Sequence, residues 1–375
     1  MFIDSFKQHF ESVADPRQSA KVTYPFFDIL FGSLCAVIAG AHGWFDIREY
    51  LLGHHKWFLE LGMFKAGIPA DDTIARTISA IKPEQFQACF LKWMAAVHTL
   101  TQGELIAIDG KTLRGSYNRE DRSSTIHMIS AYATANKLVL GQLKTDKKSN
   151  EITAIPELLQ LLDLQGALVS IDAMACQTKI AKTIIEQKGD YLLAVKGNQG
   201  NLSKAVQQAF SALRNDASSL EALQTEKQHG RIESRLCQVL DASTLEGNFS
   251  RWKGLKTLAM ITSFRTEKGK PVSMEYRYYI SSKIMSAEQV ASAVREHWAI
   301  ESMHWVLDVS MQEDACQIYK DHAAENLACL RHLALNMLRA EPTKLSIVGK
   351  QKRCWMKTEH LEKVLIAGLS VSLKN

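Results

Sequence analysis

The stretches LIAIDGK at residues 105–111 and LVSIDAM at residues 168–174 decide the reading of the fold. Each is a short apolar run ending on an aspartate, Asp109 in one and Asp172 in the other. Short apolar runs of this kind read as buried strands. In sheets covered by helices, reacting groups collect at the carboxyl ends of the strands. Working outward, Ile126–Ala133 and Leu138–Leu143 read as strands with a turn at Ala135-Asn136. Ile155–Leu164 reads as a helix, Ala167–Ile171 as a strand, Gln177–Gln187 as a helix and Tyr191–Val195 as a strand. The order strand, strand, strand, helix, strand, helix, strand predicts an α/β fold with a mixed, partly parallel sheet flanked by helices.

Residues 1–98 read as a helical domain preceding an α/β domain over 99–375. Phe26, Phe27, Leu30, Phe31, Leu34 and Ile38 recur at helical spacing, as do Phe86, Phe90, Trp93 and Val97 in the run from Pro83 to Leu100. Between them, Asp72 or Thr73 is placed to cap a short helix reaching Ile78 or Ile81. Residues 200–280 read as a β-rich insertion. It opens with a helix near Leu202–Leu213, and Arg231–Leu240, Leu255–Phe264 and Ser273–Ile280 follow as strands, with a turn at Lys268-Gly269-Lys270-Pro271. From Ala287 to Arg339 the pattern is helical again.

Bulk properties restrict the function classes. A chain of 375 residues with 46% hydrophobic content can bury a substantial core. Its net charge of +5 permits a nucleic-acid partner without arguing for one. Seven scattered cysteines with no CxxC argue against a zinc ribbon or a redox motif. The N-terminus lacks a signal-peptide pattern, and the longest apolar run, Ile29–Ala41, is too short to span a bilayer. The expectation is a reduced, soluble, cytoplasmic protein.

Two carboxylates at neighbouring strand ends repel each other unless a cation lies between them. Hard oxygen donors of this kind suit Mg²⁺. The alternative is that each aspartate caps the turn or helix after it. A third acid lies in VREHWAIESMHWVLDV, residues 294–309. Here Val294, Trp298, Trp305 and Val309 form an apolar stripe, while His297, Glu301, His304 and Asp308 share another face. That polar face has three readings: a helix carrying Glu301 over the site of the two aspartates, a self-contained His-Glu-His transition-metal site, or a solvated surface. Lys111 and Arg114 follow Asp109, and Lys196 follows a strand, so all three are placed to meet phosphates or to be ordinary surface charges. Trp252, between Arg251 and Lys253, could stack an unpaired base. A packed tryptophan is the commoner outcome.

Further motifs join these residues: GIPADDTIAR, CFLKWM, IAIDGKTLRGS, KSNEITAIPELL, SIDAMACQ, YLLAVKGNQ, HGRIESR, YYISS and HWAIESMHWVLDVSMQEDACQI. In this order, over essentially the whole chain, they resemble the H-repeat-associated insertion-sequence transposases of the DDE superfamily. The resemblance implies a ribonuclease H-like catalytic core with a β-strand insertion between the second Asp and the Glu. It implies a DDE triad of Asp109, Asp172 and Glu301 holding two Mg²⁺ or Mn²⁺ ions, Asp109 bridging both. It further implies DNA cleavage and strand transfer on double-stranded DNA, element ends and target alike, by a homodimer in the DNA complex. The N-terminal helices are then expected to help recognise the ends.

Related families carry a Tyr-x2-Arg-x3-Glu-x6-Lys signature around the Glu. The matching positions here are Val294, His297, Glu301 and Asp308, and only the Glu is kept. His297 could still donate to a phosphate, but the DNA-end contacts of that signature are not implied. Two other functions stay open from the residues: a DNA-binding remnant of a mobile element, and a metal-dependent enzyme using His297, Glu301 and His304.

Overall fold

The computed structural model describes residues 2–98, 103–118, 120–121, 124–145, 151–213, 220–228, 231–267 and 271–369. The chain begins with α1 (Phe2–Phe10), α2 (Phe26–Ile38), α3 (Trp44–Gly53), α4 (His55–Glu60), α5 (Asp71–Ser79) and α6 (Pro83–Val97). Next come β1 (Leu105–Thr112), β2 (His127–Ala133), β3 (Leu138–Thr145), α7 (Glu151–Gln160), β4 (Leu168–Ile171), α8 (Thr178–Glu186), β5 (Asp190–Val195) and α9 (Gly200–Leu213). Four strands follow: β6 (Leu220–Gln228), β7 (Arg231–Asp241), β8 (Thr257–Glu267) and β9 (Ser273–Ser281). The chain then returns to helix in α10 (Ala287–His297), α11 (Ala299–Ser310), α12 (Ala323–Ala340), α13 (Ile347–Met356) and α14 (Thr358–Leu369).

Among the described residues, nine strands form one sheet in the order β3-β2-β1-β4-β5-β9-β8-β7-β6. β1 is antiparallel to β2 and parallel to β4, and β4 is parallel to β5. This 3-2-1-4-5 order is the ribonuclease H-like arrangement that the motifs imply. Ile108 of β1 lies opposite Ile171 of β4, so Asp109 and Asp172 emerge side by side where two parallel strands end.

The insertion does not form a separate layer. β9 pairs antiparallel with β5, and β8, β7 and β6 extend the same sheet outward. β6 escaped the sequence reading because LEALQTEKQ is largely polar, and its Leu223 is exposed. The turn expected at Lys268-Gly269-Lys270, the KSN of residues 148–150 and His229-Gly230 lie outside the described residues.

The N-terminal helices are not a detached unit. α2 packs on α3, α5 and α12, while α1 packs on α6 and α14. One apolar core runs from Ile3 through Phe31, Trp93 and Leu333 to Leu369. Polar ties cross the same boundary. Asn326 Nδ2 on α12 donates to the carbonyls of Ile78 (2.8 Å) and Ile81 (2.9 Å), and Trp93 Nε1 donates to that of Gly368 (3.2 Å). Neither Asp72 nor Thr73 caps α5. The helix starts at Asp71 after Ala70, leaving both aspartates in the first turn, where the helix dipole favours them.

α12 also finishes the sheet. β3 is an outer strand, and such edges expose unpaired backbone groups. Asn336 satisfies both groups of Val139, accepting its N–H at 2.9 Å and donating to its carbonyl at 2.8 Å. No helix among the described residues is long and apolar enough to cross a membrane.

Two outcomes follow from this packing. A chain starting at Gly103 bares the apolar faces of α12 and α14, so it is expected to aggregate or unfold without cooperativity; a sharp, reversible thermal transition would contradict the shared core. Asn336→Leu leaves both Val139 groups unmet and is expected to cost about 2 kcal/mol in urea unfolding.

Candidate active site

Side chains alternate along β1, so Asp109 and Lys111 share one face while Ile108 and Gly110 share the other. The Asp109 face meets α11. His304 Nδ1 lies 3.6 Å from Asp109 Oδ2. Burial, reinforced by the Lys111 charge, pushes His304 down to about 3, so this is a neutral ring against a carboxylate rather than an ion pair. Asp172 follows β4, and its Oδ1 accepts the backbone N–H groups of Met174 (3.1 Å) and Ala175 (3.3 Å). The turn-capping role therefore coexists with its place in a cleft of about 380 Å³ lined by Ser170, Asp172, Lys196, Arg277, His297 and Glu301.

Electrostatics links this cleft to Asp109. Burial raises the Asp109 carboxyl to about 7 against the pull of the Gly110 N–H, and the charges of Asp172, Glu151 and Glu301 raise it further. Asp109, Asp172 and Glu301 are thus within electrostatic reach of one another, on three different elements. Among the described residues, no three His, Cys, Asp or Glu side chains already stand around one point closely enough to hold an ion. The donor chemistry fits a hard divalent cation, and the side chains would have to close around it.

The helix bearing Glu301 departs from the sequence reading. The chain breaks at Trp298 between α10 and α11, so residues 294–309 do not follow one helical wheel. The buried face of α11 is Ile300, Met303, His304 and Leu307. The expected apolar stripe points outward instead, with Trp298 39%, Trp305 61% and Val309 55% exposed. Of the polar stripe, His304 is buried, His297 and Asp308 are half-buried and Glu301 is exposed. His297 Nδ1 meets Ser170 Oγ at 2.8 Å, and burial lowers its pKa although Asp172 opposes this.

The candidate cations separate into two groups. Lys111 is corrected by the structure: its side chain is only 9% exposed, and its ammonium is engaged by Asp308, by Glu313 at 2.6 Å and by Asp314 at 4.0 Å. It ties β1 to the C-terminal end of α11 and is not available to a phosphate. Arg114 is exposed, near Asp314 at 3.6 Å, and Lys196 is exposed on the cleft wall. Trp252 is also corrected. It is 6% exposed within the main core and offers no face to a base.

One acid beside Asp109 was missed. Glu151 is the first residue of α7 and is buried, and its Oε1 lies 2.5 Å from His127 Nε2. Its signal was present in the KSNEITAIPELL motif as an acid at the start of a helix directly after three strands. The apolar residues around it drew the reading to a helix start four residues later.

Removing Lys111 leaves Asp308 and buried Glu313 without their cation. Lys111→Met is expected to lower unfolding stability by about 3–5 kcal/mol. Arg114→Ala is expected to change it by less than about 0.5 kcal/mol. Denaturant unfolding of both variants measures the contrast, and equal small effects would remove the structural role of Lys111.

Comparison with known proteins finds matches over nearly the whole chain. The family model "DDE_Tnp_1-associated" matches residues 7–94, and "Transposase DDE domain" matches residues 100–337. The chain is 45% identical to "H repeat-associated putative transposase YhhI" of Escherichia coli (strain K12), over 99% of this chain and 100% of that protein. It is 46% identical to "Putative transposase YncI" of Escherichia coli O157:H7, over 97% of this chain and 95% of that one. Among solved structures, the piggyBac transposase synaptic complex with hairpin DNA is similar with a TM-score of 0.46 and 13% identity, covering 100% of this chain and 83% of that one. On the strength of the near full-length matches, the chain belongs to the transposase DDE domain family, alongside its H repeat-associated members.

Proposed function

We propose that this protein is an active transposase that cuts DNA at the ends of an insertion sequence and joins them to target DNA. Asp109, Asp172 and Glu301 are its catalytic carboxylates. The observation that carries this reading is that half-buried Asp109 emerges beside Asp172 at the ends of two parallel strands, within reach of the charge of Glu301. Carboxylates gathered in this way favour a bound cation, and oxygen donors suit Mg²⁺ or Mn²⁺. When bound, two such ions supply charge stabilisation to the attacking and leaving oxygens at phosphorus.

In the first reaction a water oxygen bonds to phosphorus as the bond to the 3′ oxygen breaks, leaving a free 3′-OH. In the second, that 3′ oxygen gives up its proton and attacks a target phosphodiester. The displaced target 3′ oxygen takes up a proton, so the number of diester bonds is unchanged. The protein orients the strands for these displacements. Lys196 and Arg114 hold phosphates by charge. With Nδ1 of His297 accepting a hydrogen bond from the Ser170 hydroxyl, the ring carries its proton on Nε2, which donates to a phosphate oxygen. Joining two ends requires holding both, so the working complex is a homodimer on DNA, with the N-terminal helices contributing to end recognition.

The His297-Glu301-His304 alternative is weakened because Glu301 is exposed while His304 is buried, so the three side chains do not share one face.

The test is strand-specific cleavage and transfer of the element's own end DNA with Mg²⁺ or Mn²⁺. Asp109→Asn, Asp172→Asn and Glu301→Gln are each expected to abolish both steps while end-DNA binding survives, and chelation should do the same to the wild type. Near-normal turnover in one variant removes that residue from the site. A wild type that binds ends and never cleaves them would be a remnant. Stoichiometric iron or zinc lost with either His297→Ala or His304→Ala would favour the alternative.

A further inference from the structure

The last part of the chain carries charge that the cleft does not use. α13 lies beyond residue 337, where the match to the DDE domain ends. Between residues 342 and 358 the sequence holds Lys344, Lys350, Lys352, Arg353 and Lys357 and no acid; acids resume at Glu359.

The helix is held firmly on the body of the protein. Ser346 caps it, its Oγ accepting the Gly349 N–H at 3.1 Å. Its buried side is Lys350, Gln351 and Cys354. Lys350 Nζ donates to the carbonyls of Leu338 (2.7 Å) and Glu341, and it pairs with the Glu341 carboxylate at 3.1 Å. The Trp355 ring meets Tyr50 of α3 edge-on, with centroids 5.3 Å apart. These contacts fix which side faces out. Residues four apart share a helix face, so Val348, Lys352 and Met356 form an exposed stripe flanked by Arg353 and Trp355. Lys344 and Lys357 are exposed just before and just after the helix.

Elsewhere on the surface, cations meet acids: Lys182 and Lys253 both meet Glu186, and Arg295 meets Glu226. Among the described residues, none of Lys344, Lys352, Arg353 and Lys357 meets a carboxylate; Lys350 alone in this stretch does. The helix dipole favours cations in the last turn, which accounts for Arg353 and Lys357. It disfavours Lys344 ahead of the first turn. The positive field reaches α14 as well. Burial lowers the pKa of His360, Glu341 opposes this, and the charges of Arg353, Lys363 and Lys350 lower it further.

A fixed row of cations matches a partner with closely spaced negative charge. Duplex DNA carries one such charge about every 1.7 Å of its axis. A ten-residue helix is about 15 Å long and so lies along several phosphates. The apolar part of the face, Val348 and Met356 beside a Trp355 anchored on Tyr50, is too small for the insertion that binding to an anionic membrane needs.

We propose that the outward face of α13 is a docking surface for the phosphate backbone of duplex DNA, gripping it without regard to sequence and apart from the catalytic cleft. The choice of DNA rests on the transposase reading, whereas the grip itself needs no cleavage.

The experiment is fluorescence anisotropy of the full-length protein, without metal, on a random-sequence duplex and on end DNA across a salt titration. Lys352→Gln combined with Arg353→Gln removes two phosphate contacts. Affinity for both duplexes is expected to fall about tenfold, and the slope of log K against log salt to become shallower by about two. Lys182→Gln combined with Lys253→Gln removes the same charge elsewhere and is expected to change neither. All these side chains are exposed, so the thermal transition should stay near wild type. If the first pair fails to fold, Lys344→Gln combined with Lys357→Gln replaces it with the same expectation. An unchanged slope, an equal loss in the Lys182 and Lys253 pair, or a wild type that does not bind the random duplex overturns the proposal. So does a loss confined to end DNA, to anionic vesicles or to self-association. Cleavage with Mg²⁺ separates the two levels. A wild type that shows the expected slopes but never cleaves keeps the grip and loses the transposase reading. A wild type that cleaves while the variants bind as before keeps that reading and loses the grip.

Discussion

The rest of the structure is arranged around like charge gathered at the end of β1. Asp109 is half-buried, and the charges of buried Glu151 and of exposed Asp172 and Glu301 reach it. Isolated charges in such a place are costly, and proteins tolerate them only when partners or bound cations offset them. The surrounding fold manages that charge by position. β1 and β4 run parallel so that two aspartates end side by side, α11 lays Glu301 and neutral His304 over one face, and α7 brings Glu151 to the other. Lys111, two residues from Asp109, does not neutralise the cluster. Asp308 and Glu313 engage it instead, so this cation acts as a brace between β1 and α11.

That brace bears on the signature of related families, in which a lysine stands seven residues after the Glu. Here Asp308 occupies that position and meets a lysine from the strand. The charge is reversed on the helix and supplied by β1, which trades a cation on α11 for a tie between the elements carrying Asp109 and Glu301. The helical body supports the same geometry from behind. α12 holds the outer strand through Asn336 and the N-terminal helices through Asn326, so residues 1–98 share their core with the end of the chain.

Much of this was legible in the sequence because the core strands are short, apolar and end on acids. The order of β1 to β5 and their helices follows from LIAIDGK, LVSIDAM and the runs between them. The helix face carrying Glu301 was legible as a polar stripe, but its sense was not. The break at Trp298 shifts the helical phase, so Trp305 and Val309 of the apolar stripe face outward while His304 goes in. Lys111 looked like a phosphate ligand because its partners lie about two hundred residues away in sequence. Trp252 was open to stacking because flanking charges are visible in a sequence and burial is not, and the commoner, packed outcome is the one found. β6 was missed because an outer, polar strand lacks the apolar alternation that marks a strand in sequence.

In this reading the acids around Asp109 hold divalent cations. Anomalous diffraction from crystals grown or soaked with Mn²⁺ tests it most directly. An anomalous peak is expected within about 2–2.6 Å of an Asp109 oxygen, with Asp172 or Glu301 also coordinating. A fully occupied Mn²⁺ bound elsewhere, with Asp109 bare at the same concentration, would contradict it.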